Sequence, residues 1–369
     1  MTEPPGVVLP EPALTVTRLL NAAFSAVDPE RPELAGDWLG LVPHVRAVLA
    51  TGGRLPGTGE RELTECASRA VVALEWAGAL AAALEMADAG IQRDGGLAAD
   101  DPVVLVLRDR RAAALRMLGR YAEAETELRQ VLRDEQRVMG PDSPEALAAQ
   151  DEIAIVLEAQ GRTADAEAEY RHVLDARLRV LGPDHPDTLA TRHGIAMVLG
   201  DQGLAADAEA EFRQILSARL RVLGPDHPAT LAARHQIAYT LAAQGQYADA
   251  EAEFRQVLDV RLRILGRDHP HTLTTWHSLA STLVMQGRYA DAEAKFRQVL
   301  DGELRVLGPD HPDTLATRHS LAHALAADGR TADAEAEYRQ ALDAALRVLG
   351  PDHPETRIIR QALQQLADP

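Results

Sequence analysis

The thirteen-residue phrase LGPDHPDTLATRH begins at Leu181 and recurs without a changed letter at Leu307. The two copies lie three periods of 42 residues apart, and similar phrases occur between them at the same spacing. Self-similarity at a period of about 20 to 50 residues is typical of arrays in which each unit packs on its neighbours. This repeat therefore restricts the fold more than any other feature of the chain.

Every 42-residue row carries the same internal pattern. A capping phrase precedes a stretch with helical apolar spacing, and a glycine separates this stretch from a second one. Two helices per row predict an all-α solenoid of antiparallel helix pairs. Complete rows begin at Gly96, Val138, Val180, Val222, Ile264 and Val306, and a partial row begins at Val348.

The phrase GPDHP predicts the end of one helix and the start of the next. Pro186 suits the first helical position, where a missing N–H group costs nothing. The residue before a proline is restricted to extended geometry, as a helix cap requires. Asp184 adds negative charge near the positive end of the following helix.

Small and large residues stand in fixed columns of the repeat. In the fifth row Ala280 lies on the first predicted helix, Ala292 lies on the second, and Phe296 follows four places later. The other complete rows have alanine at the first two positions and Leu, Tyr or Phe at the third. Alanine lets paired helices approach closely, and the large side chains fill the space between them.

This pattern resembles the tetratricopeptide repeat, W-x2-L-G-x2-Y followed by A-x3-F. The fifth row carries the best match, with Trp276, Leu279, Ala280, Leu283, Ala292 and Phe296. The period of 42 and the G-x-D-H-P phrase are similar to the longer repeats of kinesin light chains. The resemblance covers residues 96–369 and implies a right-handed superhelix whose concave groove, lined by the first helix of each pair, receives peptides.

The repeat also predicts how the chain is divided. Residues 96–347 form six 42-residue units, and residues 348–369 form a capping helix, where Gln364 replaces the alanine of the column. Residues 53–95 read as a degenerate helix pair of the same kind, and residues 1–52 as an N-terminal helical segment. This last segment resembles the connector that precedes such repeats in bacterial signalling ATPases of the NB-ARC type.

Composition and charge argue against several classes of function. The net charge of −18 disfavours nucleic-acid binding, which needs a basic surface. Lys295 is the only lysine and has no glycine nearby, so no Walker A loop is present. No apolar run approaches the ~18 residues of a membrane span. The acidic, proline-rich start does not resemble a secretory signal, and we expect a cytoplasmic protein.

No catalytic or cofactor motif stands out. GxSxG, GxGxxG and CxxC are absent, and no nucleophile, base and orienting group occur together. Cys66 is the only cysteine, which excludes an internal disulfide, and its apolar surroundings predict a buried structural thiol. We predict that the protein is not an enzyme and needs no cofactor; a site completed by residues 1–95 is a remote alternative.

One column of the first helices is the main candidate for function. It follows the Trp276 column and reads Asp109, Asp151, His193, His235, His277, His319 and Gln361. The resemblance to kinesin light chains implies a groove position, where those proteins carry an asparagine ladder. Three interpretations are open: a ladder that binds peptide backbone, polar residues that pack between repeats, or a metal site with His277, His319 and His323 as ligands.

A second column lies one helical turn further along the same face. It reads Ala113, Ile155, Met197, Tyr239, Ser281 and His323, and it varies while its neighbours hardly do. Such variation is expected if these residues select a ligand. Neutral drift at exposed positions is the alternative explanation.

Arg192, Arg234 and Arg318 neighbour the histidine column. If their guanidinium groups reach the rim of the groove, they favour an acidic or C-terminal peptide as partner. Alternatively, they pair with the acidic second helices, which carry the sequence DAEAEF or DAEAEY.

Taken together, the sequence predicts a non-catalytic scaffold or adaptor that binds a protein or peptide partner, with neither nucleic acid nor membrane as partner. A regulator that senses a ligand or a metal through the histidines is the second hypothesis. The predicted groove residues are His193, His235, His277, His319, Asp151, Met197, Tyr239, Ser281, His323, Arg192, Arg234 and Arg318.

Overall fold

The computed structural model describes residues 11–26, 35–51, 53–56, 58–93 and 96–367. This part of the chain contains 17 helices, which confirms the prediction of an all-α solenoid. The helices are α1 Glu11–Ser25, α2 Ala35–Leu49, α3 Gly59–Trp76, α4 Leu80–Ile91, α5 Pro102–Met117, α6 Tyr121–Met139, α7 Pro144–Ala159, α8 Thr163–Val180, α9 Pro186–Asp201, α10 Ala205–Val222, α11 Pro228–Ala243, α12 Tyr247–Ile264, α13 Pro270–Met285, α14 Tyr289–Val306, α15 Pro312–Ala327, α16 Thr331–Val348 and α17 Pro354–Ala367.

The helices group into two compact units, residues 1–156 and 157–369, and the division falls inside α7. Among the described residues, no helix is long and apolar enough to cross a membrane. The first ten residues, on which the prediction of a missing secretory signal rests, lie outside the described part of the chain.

A buried arginine organises the beginning of the first unit. Arg93 follows α4 and donates hydrogen bonds to the carbonyl oxygens of Leu49 and Gly53, at 2.9 and 2.8 Å. Its Nε atom lies 3.0 Å from Glu60 Oε2, and both side chains are almost fully buried. A paired, hydrogen-bonded charge is tolerated in such a place, so Arg93 fixes the segment after α2 against α3.

The predicted packing columns form the core. All twelve alanines of the two columns are fully buried, and the large residues four places after the second alanine are nearly so. In the second unit Phe212, Phe254 and Trp276 belong to one hydrophobic cluster, which extends over several repeats. This continuous core, rather than any single helix pair, stabilises the array.

Each helix pair turns at a glycine. Gly287, between α13 and α14, has a φ of 74°, a conformation that favours glycine over other residues. The N–H of the next residue, Arg288, donates to the carbonyl of Leu283 at 2.9 Å, as in a helix-terminating Schellman turn. The equivalent glycines in the other rows also have positive φ.

From α9 onwards, the GPDHP phrase or its variant GRDHP starts each odd-numbered helix, as predicted, but histidine supplies the cap. In His227 the ring atom Nδ1 accepts a hydrogen bond from the N–H of Ala229 at 3.1 Å. The same contact recurs at His185, His269, His311 and His353. Imidazole therefore satisfies one of the N–H groups that the start of a helix leaves unpaired.

The aspartate of the phrase makes a contact that the sequence analysis did not predict. The carboxylate of Asp184 lies 2.6 Å from a guanidinium nitrogen of Arg221, which is 37 residues further along the chain. The same pair recurs in Asp226 with Arg263, Asp268 with Arg305 and Asp310 with Arg347. The capping phrase at the start of each of these repeats is thus tied to the end of the second helix of the same repeat.

We predict that His227→Ala lowers the free energy of unfolding by about 1 kcal/mol, the usual cost of removing a helix cap. His227→Asn should retain most of the stability, because asparagine also caps helices. Urea denaturation monitored by circular dichroism measures both variants. Removal of the exposed His172 on α8 is the control, and equal effects of His172→Ala and His227→Ala would contradict a capping role.

Cys66 lies on α3 and is fully buried. Burial raises the pKa of its thiol to about 12. Because the thiolate is the reactive form, we predict that Cys66 does not react with a thiol reagent such as dithionitrobenzoate in the native protein. In guanidinium chloride one equivalent should react. Rapid reaction of the folded chain would show that α3 opens readily.

Candidate functional site

The predicted histidine column lies along the first helices of the second unit. His193, His235, His277 and His319 lie on α9, α11, α13 and α15 and are half-buried. Each imidazole packs against an aromatic ring 19 residues later, with ring centroids 5.1 to 5.7 Å apart. The first three contacts are edge-to-face, a favourable arrangement of aromatic rings. The partners are Phe212, Phe254, Phe296 and Tyr338.

Two of these histidines also connect neighbouring repeats. Nε2 of His235 lies 3.3 Å from the Ser278 hydroxyl, and Nε2 of His277 lies 3.0 Å from the Ser320 hydroxyl. In both cases the serine comes 43 residues after the histidine. These hydrogen bonds join the first helix of one repeat to the first helix of the next.

Burial keeps the column uncharged. It lowers the pKa of His193 to about 4 and that of His235 to about 3, with smaller contributions from the charges of Arg219 and Arg261. Burial also lowers the pKa of His277 and of His319. The uncharged state and the ring contacts favour the packing interpretation for His193, His235 and His319, and the hydrogen bond to Ser278 adds to it for His235. Nδ1 of His193 and of His235 is nevertheless buried without a hydrogen-bond partner among the described residues.

The structure gives no support to the metal interpretation. Within the described residues, no group of three or more His, Cys, Asp or Glu side chains is arranged to hold a metal ion. His277 Nε2 faces a serine hydroxyl, and His323 is exposed. The candidate ligands His277, His319 and His323 therefore do not converge.

The predicted groove arginines pair with the acidic second helices. Arg192 lies 2.5 Å from Glu211, Arg234 lies 3.2 Å from Glu253, and Arg318 lies 3.0 Å from Glu337. In each pair the glutamate comes 19 residues after the arginine, within the same repeat. The expectation that these arginines select an acidic or C-terminal peptide thus loses its basis, because each guanidinium already has a carboxylate partner.

The varying column leads to an open cavity. Tyr239 on α11 and Ser281 on α13 line a cavity of about 440 Å³ together with His277. The structure thus brings together three of the predicted groove residues. Their neighbours in the cavity wall are Ala242, Ala243, Phe254, Ser278, Thr282 and Met285.

Two large apolar side chains stand exposed at this cavity. Tyr239 is 58% exposed and Met285 is 61% exposed. Met285 lies outside the two columns predicted from the sequence, although His277, Ser281 and Met285 are spaced by four residues and therefore share one face of α13. Extending the two columns by one more helical turn would have found it.

The remaining predicted residues have other surroundings. Met197 packs against the hydrophobic core of the second unit. Asp151 belongs to the first unit and already interacts with another group of the protein. Neither residue lines the cavity beside Tyr239.

The cavity has the chemistry of a binding site. Its apolar rim can cover an aliphatic or aromatic side chain, and its hydroxyl and imidazole groups can hydrogen-bond to a peptide backbone. Its wall contains no carboxylate, lysine or thiol that would complete a catalytic group. The wall residues can thus supply apolar contacts and hydrogen bonds to a ligand.

Stacked antiparallel helix pairs of this kind define a helical-repeat protein. A tetratricopeptide repeat model matches overlapping segments, which are residues 103–179, 146–220, 187–263, 230–303, 287–347 and 313–367. The chain belongs to the tetratricopeptide repeat family. No curated protein gives a significant sequence match.

Several solved structures are similar to this chain. A Rap protein complexed with Competence and Sporulation Factor shares 12% identity with a TM-score of 0.55, and 97% of each chain is covered. A tetratricopeptide repeat protein from Parabacteroides merdae shares 16% identity with a TM-score of 0.50, covering 82% of this chain and 98% of that one. A kinesin light chain-like protein from Podosopora anserina with nearly identical repeats shares 26% identity with a TM-score of 0.44. The match covers 54% of this chain and 93% of that one.

The buried histidines predict how stability depends on pH. The pKa of His235 falls from an ordinary 6.5 to about 3 on folding. The unfolded chain therefore binds more protons between these values, and the stability due to this residue is lost as the pH falls below about 6.5. We expect His235→Asn to lose less stability than the wild type between pH 7 and 4.5, by up to about 1.4 kcal/mol per pH unit.

Urea denaturation at a series of pH values measures this difference. Buried carboxyl groups with raised pKa, such as Glu303 at about 8, have the opposite pH dependence. They are present in both proteins and cancel in the comparison. Parallel pH curves for the wild type and His235→Asn would show that the imidazole is solvated in the folded state.

Proposed function

We propose that the protein is a non-catalytic binding scaffold, and that the cavity beside Tyr239 and Met285 holds an apolar side chain of a protein or peptide partner. One observation carries this proposal: two large apolar side chains lie exposed in the wall of a cavity that also contains His277 and Ser281. Exposed apolar groups around a concave, partly polar surface are typical of ligand-binding sites.

The energetics of the cavity suit a modest but specific interaction. Covering Tyr239 and Met285 would remove apolar surface from water, at about 25 cal/mol for each Å². Tyrosine loses little conformational entropy when it is held, and methionine adapts to the shape of its partner. The two exposed residues would therefore supply most of the affinity, while the polar groups fix the orientation of the bound segment.

The polar groups of the cavity are suited to peptide backbone. The Ser281 hydroxyl donates to the carbonyl of His277 at 3.1 Å, which leaves its oxygen able to accept from a peptide N–H. His277 is already oriented by Phe296 and Ser320. A site whose residues are held in place before binding loses less entropy on association.

The comparisons support a protein or peptide as the class of partner. The Rap protein of similar fold was solved in complex with Competence and Sporulation Factor. A stack of helix pairs can thus accommodate a ligand without any catalytic group. For the present chain we propose an apolar anchor residue in the partner in place of the acidic segment predicted from Arg192, Arg234 and Arg318.

The proposal is tested with a peptide selected on the purified full chain from a random-sequence display library. Tyr239→Ala and Met285→Ala should each weaken the binding of that peptide at least about tenfold, the usual effect of removing an anchor residue from an interface. Isothermal titration calorimetry measures the affinities. Alanine replacement of the similarly exposed Val222 on α10 is the matched control.

Two results would contradict the proposal. Selected peptides that bind both cavity variants with unchanged affinity would place the binding surface elsewhere. Peptides that retain full affinity after their apolar residues are replaced by serine would show that the cavity does not hold an apolar anchor. Circular dichroism and unfolding curves establish that Tyr239→Ala and Met285→Ala keep the wild-type fold.

A further inference from the structure

The fifth repeat carries an arginine where the rows beside it have proline. Its capping phrase reads GRDHP, and Arg267 stands at the position of Pro225 and Pro309. The guanidinium carbon of Arg267 lies 5.8 Å from the centre of the Trp276 ring, within the range of a cation–π contact. Trp276 is only 5% exposed, so its ring is a fixed support for the guanidinium group.

Arg267 lies at an open cavity on the second helix of the same repeat. The cavity has a volume of about 440 Å³, and its wall contains Arg267, Arg297 and Arg305. Arg297, Asp301 and Arg305 are spaced by four residues and therefore share one face of α14. The turn before α13 thus brings a third arginine beside two that α14 already presents. The other residues of the wall are Ala294, Gln298 and Asp301.

Positive charge is in excess in the wall of this cavity. Three arginines stand there with a single carboxylate, that of Asp301. Arg267 contacts the Trp276 ring and forms no ion pair with any carboxylate in the described part of the chain. Such an arrangement is unusual in a protein whose net charge is −18. The wall therefore has the charge that suits an anion.

The ion pairs of the other two arginines leave hydrogen-bond donors available. Arg305 lies 2.6 Å from Asp268, and Arg297 lies 2.9 Å from Glu293. Both arginine side chains are about half exposed, and ion pairs in such places contribute little to stability. Glu293 also lies 2.6 Å from Arg330, so two arginines share this carboxylate. A guanidinium group has five N–H donors, of which these pairs use only a part.

We propose that Arg267, Arg297 and Arg305 bind a phosphorylated side chain of a protein partner. A phosphate monoester has three terminal oxygens and a charge of about −1.5 to −2 at pH 7, so it can accept hydrogen bonds from several arginines at once. A carboxylate has two oxygens and one charge, which a single guanidinium group satisfies. Phosphate therefore suits three arginines better than a carboxylate does.

This site is independent of the apolar cavity proposed above. The two cavities share no wall residue, and they select different chemistry. One lies beside Tyr239 on the first helices, whereas the other lies on α14 and the turn before α13. Either proposal can therefore fail without the other.

The probe is the blocked tripeptide acetyl-Ala-phosphoserine-Ala-amide, with its serine and glutamate analogues and inorganic phosphate beside it. Isothermal titration calorimetry of the full chain at pH 7.5 and low ionic strength measures the affinities. The phosphoserine peptide should bind at least about tenfold more tightly than the glutamate peptide, because a carboxylate uses only part of the site. The serine peptide should not bind.

Arg267→Pro restores the proline of the neighbouring repeats. It should weaken binding of the phosphoserine peptide about tenfold or more, since it removes a charge-assisted hydrogen bond, and Arg297→Gln should act in the same direction. Asp301→Asn should instead strengthen binding, because it removes a like charge from the wall. Arg213→Gln is the matched control and should leave the affinity unchanged. Arg213 on α10 holds the position of Arg297 two repeats earlier and forms the same kind of ion pair.

Several results would overturn the proposal. The phosphoserine peptide fails to bind at millimolar concentration, or the serine or glutamate peptide binds as tightly. Inorganic phosphate or a short single-stranded oligonucleotide binds more tightly than the phosphoserine peptide, which would assign the site to a free anion or to nucleic acid. Folded Arg267→Pro and Arg297→Gln retain full affinity, or Arg213→Gln weakens binding as much as they do. Unfolding curves identify a variant that fails to fold, in which case the other variant provides the test.

Discussion

The contact between small and large side chains inside each helix pair is the constraint on which the rest of the structure depends. Fully buried alanines on both helices let the backbones approach, and a large residue such as Phe254 or Phe296 fills the remaining space. Because this contact recurs every 42 residues, each pair presents the same surface to the next one. A larger residue at one alanine would displace a helix and disturb its neighbours as well.

Polar contacts then set the alignment of neighbouring repeats. The pair of Asp184 with Arg221 lies within one repeat, whereas His277 reaches Ser320 on the first helix of the next repeat. Exposed ion pairs such as the first contribute little individually, whereas half-buried hydrogen bonds specify one arrangement. The same geometric positions carry carboxyl groups in the first unit, at Asp109 and Glu152. Equivalent positions of the repeat thus carry different chemical groups in the two units, while the helix pairs keep the same fold.

This separation would let a repetitive chain carry the specific binding surface that we propose. Buried columns cannot change without loss of packing, but the turn of α13 that carries Ser281 and Met285 contacts the core only in part. Tyr239 and Met285 are exposed although they are apolar, which a purely structural position would not require. The proposed binding surface lies outside the buried packing columns, at positions where the repeats differ from one another.

Much of the fold follows from the sequence, because a period of 42 residues, glycine turns and alanine columns admit one kind of packing. The sequence also named Tyr239, Ser281 and His277 as candidates: helical spacing places His277 and Ser281 on one face of α13, and the 42-residue period places Tyr239 in the same column as Ser281. It could not distinguish a histidine that binds from one that packs, because that depends on Phe254 and Phe296 on another helix. Nor could it show that Arg192 and Arg234 are paired with glutamates. Local periodicity therefore determined the array. Contacts between residues 19 and 43 positions apart, which only tertiary packing creates, decided which polar groups remain available.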